Sequence, residues 1–299
     1  MAEDGVICSR LASRITGRHL QDRCACLYHG SSLGMDGIMG VNSMKRVHEP
    51  VMLCLSSGKG GVGKTSLAVN LAVALVDLGQ KVLIVDGDLG LANVDILLGI
   101  EVHTTIRDIL DNDSDPLTAV VPVETNLGVL PSSSGVPEMV NLGPEDQTLL
   151  EEVLRSIAQH FDFVVMDTAA GIGPSVLWFN SFVEHNLVVL APDPTSLTDA
   201  YALIKVLARD YKRQHFHLLL NLVTDEKESL QTYNGLAKVA AKFLGLELHY
   251  LGSVPRDPAV HKAIHHQNPF VRQSPRSRAA KAVQELAKRL MELGHMGTS

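Results

Sequence analysis

From Val51 onward, short apolar runs alternate with longer stretches in which apolar residues recur every three or four positions. The runs Val51–Ser56, Lys81–Asp86, Leu127–Leu130, Phe163–Asp167, Asn186–Ala191, His217–Val223 and Leu248–Val254 read as strands. Between them, Ser66–Leu78, Glu145–Gln159, Leu197–Tyr211 and Ser229–Leu244 have helical spacing. This alternation predicts an α/β fold, a doubly wound, mostly parallel sheet of about seven or eight strands with helices on both faces. No repeat or long linker interrupts the pattern, so residues 48–293 read as one domain, followed by a short tail at 294–299.

Residues 1–47 lack any sustained period. They carry Arg10, Arg14, Arg18 and Arg23, then a loose Gly/Ser/Met stretch. No apolar core of signal-peptide length follows the arginines, so a disordered extension is expected, with Met35, Met39 or Met44 as alternative start sites. Hydrophobic residues at 45% of the 299 positions suffice for a sizeable core. Aromatic content of 4% argues against a base-stacking surface, and the net charge of −7 argues against a general nucleic-acid coat. No apolar run is long enough to span a bilayer. Cys8, Cys24, Cys26 and Cys54 lack the spacing of zinc or redox sites, which fits a reducing cytoplasm.

The candidate chemistry starts at Gly58-Lys59-Gly60-Gly61-Val62-Gly63-Lys64-Thr65, which fits G-x-x-x-x-G-K-[ST] and lies between the first strand and the first helix. A helix start leaves backbone N–H groups unpaired, and glycines let the chain curl close to an anion. Lys64 then supplies a fixed charge to the β- and γ-phosphates, and the Thr65 hydroxyl a ligand for Mg²⁺. Gly58-x-Gly60-x-x-Gly63 also satisfies the dinucleotide-binding fingerprint, with Asp86 about twenty residues on, which would make the protein an NAD-type oxidoreductase. That reading leaves Lys64-Thr65 and the second acidic strand end without a role. Strand ends carry Asp86-Gly87-Asp88 and Asp167-Thr168-Ala169-Ala170-Gly171, placing carboxylates where open α/β sheets bind ligands and where Mg²⁺ finds oxygen donors.

These residues resemble the deviant Walker A ATPases of the MinD/ParA family, whose loop carries an extra lysine, here Lys59. The resemblance spans about residues 50–292. It implies ATP and Mg²⁺ as ligands, with Gly58 to Thr65 and Ser66 around the phosphates and Lys59 reaching across an ATP-dependent homodimer. It also implies that Asp88 orients the attacking water, that Thr65, Asp86 and Asp167 serve Mg²⁺, and that Gly171 lies near the γ-phosphate. Asn221 and Pro255-Arg256-Asp257 resemble the family's adenine-contacting segments, and no guanine-specific Asn-Lys-x-Asp follows the strand at Asn221.

Within the family, Pro131 to Leu142 resembles the loop of the FlhG branch, which controls flagellar number and placement. The partners implied are an FlhF-like GTPase, flagellar switch proteins and a transcriptional activator. Residues 1–47 show no match to the activating motif Asp-Gln-Ala-x-x-Leu-Arg. Division-site or DNA partitioning is the alternative role, although DNA binding is not expected from the charge. A scaffold that binds ATP and scarcely hydrolyses it stays open. Arg276–Met291 reads as an amphipathic helix with Ala279, Val283, Leu286 and Leu290 on one face. Its family counterpart is the last core helix, so packing is expected, with weak or absent membrane binding and at most transient membrane or polar association. Relatives that carry iron–sulfur clusters need cysteines beyond the loop, and this chain has none after Cys54. His261, His265 and His266 have i, i+4 spacing but read as a solvated surface.

Overall fold

The computed structural model describes residues 49–90, 93–105, 108, 115–132 and 143–296. The N-terminal extension, Leu91-Ala92 of the loop after Asp88, and most of the Pro131–Leu142 loop lie outside the described residues. Eight strands are present among those described: β1 (Val51–Ser57), β2 (Val82–Gly87), β3 (Val121–Glu124), β4 (Leu127–Leu130), β5 (Phe163–Ala170), β6 (His185–Leu190), β7 (Phe216–Val223) and β8 (Leu248–Pro255). They form one sheet in the order β3-β4-β2-β5-β1-β6-β7-β8. Only the β3/β4 pair is antiparallel. The helices are α1 (Lys64–Asp77), α2 (Val94–Leu98), α3 (Pro144–Ala158), α4 (Pro174–Phe182), α5 (Pro194–Asp210), α6 (Glu226–Leu244), α7 (Pro258–His265), α8 (Phe270–Gln273) and α9 (Arg278–Met296).

Every residue of β1 is buried, because helices cover both faces of the sheet. Its odd-numbered side chains, Val51, Leu53 and Leu55, join a core with α1 and α9. The even-numbered Met52 and Cys54 join another with α3 and α4. Full burial of each such aliphatic side chain stabilises the fold by about 1.5–3 kcal/mol. A third core packs β6 and β7 against α5 and α6. The face of α9 carrying Ala279, Val283, Leu286 and Leu290 is buried, and α9 lies against α1 and β8. That helix runs on to Met296, so the boundary expected at residue 293 falls inside it.

Other differences have local causes. β3 carries Pro122, which an edge strand tolerates but which hides its strand character in the sequence. α4 buries Val176, Trp178, Phe179 and Asn180 on several sides and so shows no one-sided apolar stripe. α5 starts three residues before the expected Leu197, because Asp193 caps the helix by accepting from the Ser196 N–H and Pro194 occupies its first turn. His261 and His265 lie on α7 with ring centroids 4.5 Å apart, and no group of three potential metal ligands occurs among the described residues.

Candidate functional site

The carboxyl ends of β1, β2 and β5 converge on the glycine loop. Gly63, at φ 86°, is the left-handed N-cap of α1, and Gly61 stands at φ 77°; both conformations strain any residue with a Cβ. The start of α1 has no side-chain cap and no acidic residue in its first turn, so its N–H groups and positive dipole end are left for an anion. A Cβ at Gly60 or Gly61 would meet nothing within 4 Å, so the hollow of the loop is open. On its other side the loop is packed tight, since a Cβ at Gly58 would lie 2.2 Å from the Asp199 carbonyl carbon and oxygen in α5. This cradle fits a phosphate chain.

Lys64 points from the first turn of α1 towards the end of β5, where its Nζ lies 2.8 Å from Asp167 Oδ1, both side chains being buried. Asp167 pairs in register with Asp86 across β5 and β2, so two carboxylates stand side by side at the sheet edge. Burial, then the charge of Asp167, raises the Asp86 carboxyl to about 7, against the N–H donors that lower it. Those donors are Asp88 N at 3.1 Å, Asn93 N at 3.0 Å and Val94 N at 3.1 Å, so Asp86 also shapes the loop that leads into α2. Burial raises the Asp167 carboxyl too, although Lys64 and the Thr65 hydroxyl oppose it. Two clustered carboxylates beside a hydroxyl, in a site that disfavours their charge without a cation, suit a divalent metal with oxygen ligands.

This electrostatic arrangement has a measurable sign. Between about pH 4 and 7 the folded, ligand-free protein holds on Asp86 a proton that the unfolded chain has released, so its contribution falls as pH rises through that window. His217, pushed down to about 4 chiefly by burial, acts in the opposite direction over part of the same range. The Asp86 effect is therefore read as the difference between wild type and Asp86→Asn. Urea denaturation without nucleotide or metal should show the variant gaining relative stability from pH 5 to pH 7, by up to a few kcal/mol. A pH-independent difference would refute the shifted carboxyl.

Asp88 follows in the partly buried loop, its carbonyl accepting from Ser132 Oγ at 3.1 Å. Gly171, at φ 96°, donates its N–H to Ser57 O at 2.8 Å, which brings the end of β5 over the glycine loop. Asn221 reaches the loop from below, donating from Nδ2 to Val62 O at 2.8 Å. The next residue, Leu222, is left-handed at φ 61°, a costly conformation for a branched side chain. Its carbonyl accepts from Arg256 Nε at 3.0 Å, which ties the ends of β7 and β8 together beside Pro255. Both carboxylate oxygens of Asp257 cap helices, one accepting from Ala259 N at 2.9 Å and the other from Ala279 N at 3.1 Å. The side chain of Asp257 is thus engaged as a helix cap.

Lys59 points sideways to α5, where its Nζ lies 3.0 Å from Asp193 Oδ1 and 2.7 Å from Thr195 Oγ1. Asp193 and Thr195 were not expected at the site. The only signal for them in the sequence is the Asp-Pro pair that starts a helix. The dinucleotide reading is overturned by strand order. In that fold the first two strands are neighbours, whereas here β5 lies between β1 and β2 and brings Asp167 to Lys64.

Comparison with known proteins adds to this geometry. The ParA family, described as NUBPL iron-transfer P-loop NTPase, matches residues 49–291. The antiactivator FleN of Pseudomonas aeruginosa is 38% identical over 250 residues, 84% of this chain and 89% of that protein. The flagellum site-determining protein YlxH of Helicobacter pylori is 31% identical over 261 residues, 85% of this chain and 87% of its own length. Among solved structures, the septum site-determining protein MinD of Pyrococcus horikoshii, complexed with Mg-ADP, aligns with a TM-score of 0.68. It is 27% identical and the alignment covers 83% of this chain and 98% of that one.

Proposed function

We infer that this chain, which belongs to the ParA/MinD family of P-loop NTPases, is an Mg-dependent ATPase that acts as an ATP-gated dimerising switch governing the number or placement of flagella. The observation that carries the flagellar reading is the likeness to FleN and YlxH over nearly their whole length. Dimerisation on ATP binding is what the resemblance of the glycine loop, with its extra Lys59, implies. The α1 N-terminus with Gly58 to Lys64 would hold the phosphates, and Thr65 and Ser66 would close the cradle. Thr65 would bind Mg²⁺, with Asp86 and Asp167 arranged to hold its water ligands. When bound, Mg²⁺ neutralises charge on the phosphates. Asp88 would orient the attacking water, Gly171 would donate near the γ-phosphate, and Asn221, Pro255 and Arg256 would frame the base. Lys59 would reach the phosphates held by a second copy, adding a cation where charge develops.

An FlhF-like GTPase and flagellar switch proteins are the partners this reading proposes. No helix among the described residues is long and apolar enough to cross a membrane. An iron-carrying role has poor support. Cys54 is buried in β1 with its thiol pushed up by burial, and no cysteine follows it.

The test is the solution mass with Mg-ATP and with Mg-ADP in an Asp88→Ala background that slows turnover. A dimer is expected with ATP alone, and Lys59→Ala should abolish it. A mass indifferent to ATP would end the switch reading. Flagellar counts per cell after gene deletion separate the flagellar role from division-site placement, while salt-sensitive DNA binding would mark a partitioning protein.

A further inference from the structure

The ammonium of Lys59 sits in a small, closed cluster. Asp193 Oδ1 accepts from Lys59 Nζ at 3.0 Å, from Thr195 Oγ1 at 2.6 Å and from the Ser196 N–H at 2.9 Å, while Thr195 Oγ1 itself accepts from Lys59 at 2.7 Å. One carboxylate oxygen thus serves as helix cap, hydroxyl acceptor and counter-ion together. These hydrogen bonds, Thr195 and Ser196 first, then Lys59, hold the Asp193 carboxyl down to about 2, so it is charged at any working pH. The cluster is prebuilt, because Gly58 packs against the Asp199 backbone and fixes the glycine loop to the first turns of α5. Both Lys59 and Asp193 side chains are 40% exposed, so the contact can open without unfolding anything.

We propose that Asp193 and Thr195 are positioning residues that dock Lys59 within its own subunit, and that ATP-dependent dimerisation draws the lysine off this dock. The inference rests on the dimerising reading above. A lysine ammonium has three donors, and here two are aimed at α5. To reach phosphates across an interface it must leave at least the carboxylate, so the docked monomer is the state that dimerisation works against. The dock sets the ATP-bound dimer's threshold without touching nucleotide. An exposed pair of this kind alters an equilibrium by about 2- to 5-fold, and a symmetric dimer opens two of them, giving about 4- to 25-fold in the dimerisation constant.

The experiment uses the full chain with Asp88→Ala, comparing it with added Asp193→Asn, Thr195→Val, Lys59→Ala and the Lys59→Ala/Asp193→Asn pair. Asparagine caps helices as well as aspartate does, so the start of α5 is retained. Sedimentation gives the dimer dissociation constant in Mg-ATP, and a fluorescent ATP analogue gives nucleotide affinity under monomeric conditions. The expected result is a tighter dimer for Asp193→Asn, and to a smaller degree for Thr195→Val, with nucleotide affinity unchanged. The gain should shrink as salt is raised, because salt already weakens the exposed ion pair in the parent protein. The pair should form no dimer, as with Lys59→Ala alone; a dimer restored in the pair would show that Asp193 acts other than through Lys59 and would overturn the dock. A dimer that Lys59→Ala abolishes but Asp193→Asn leaves equal or weaker would overturn the dock while sparing the switch. Absence of an ATP-dependent dimer in the parent protein would overturn both.

Discussion

Lys64→Met should lower ATP hydrolysis by at least 100-fold, read as phosphate release at saturating Mg-ATP, since one lost charge donor at a developing anion typically costs that much. The same substitution strips the buried Asp167 of the cation 2.8 Å away. Removing one member of a buried pair costs about 3–5 kcal/mol when the other stays charged. Asp167 has a way to limit that loss, because burial already biases it towards its neutral form, and without Lys64 it will protonate more readily still. The destabilisation should therefore be larger at pH 8 than at pH 6, which denaturant midpoints at the two values would register. Hydrolysis at the wild-type rate would remove Lys64 from the phosphate site. A pH-independent loss of stability would instead count against a charged Asp167 as the group left behind.

Gly58→Ala carries the second large effect, and its cause is steric. The added methyl would lie 2.2 Å from the carbonyl carbon and oxygen of Asp199 and 2.8 Å from Ala200 N, all backbone atoms of α5 that have no rotamer to escape into. Either α5 or the loop must shift. Overpacking of this sort costs about 1–3 kcal/mol or more. A displacement near 1 Å at the phosphate cradle costs on the order of 100-fold in turnover. Gly60→Ala is the control, because nothing lies within 4 Å of its Cβ position and its backbone is not left-handed. Its stability should stay within about 0.5 kcal/mol of wild type. Thermal melts would separate the two glycines, and equal stability for both variants would contradict the packing described.

Flanking elements were less legible than the centre of the fold. The other seven strands announced themselves as apolar runs, whereas β3 hid behind Pro122 and α4 behind its many-sided burial. Asp257 looked like a ligand residue because it follows β8 within a motif-like segment, yet its oxygens serve two helix starts, one of them 22 residues away. Nothing local to Pro255-Arg256-Asp257 reveals that α9 returns to the same place. Asp193 and Thr195 escaped notice for a similar reason, since they meet Lys59 from 134 and 136 positions away.

By itself the amino-acid order determined the alternating α/β architecture, the glycine loop at a strand-to-helix turn and the acidic strand ends. Each rests on interactions within a few residues: side-chain periodicity, glycine's backbone freedom and the unpaired N–H groups of a helix start. Only the tertiary structure decided that β5 enters between β1 and β2, that Asp86 and Asp167 stand side by side with Lys64 against Asp167, and that Lys59 rests on α5. Those outcomes depend on strand order and helix docking, which distant segments settle jointly by burying their apolar faces, and no short stretch of sequence carries that information.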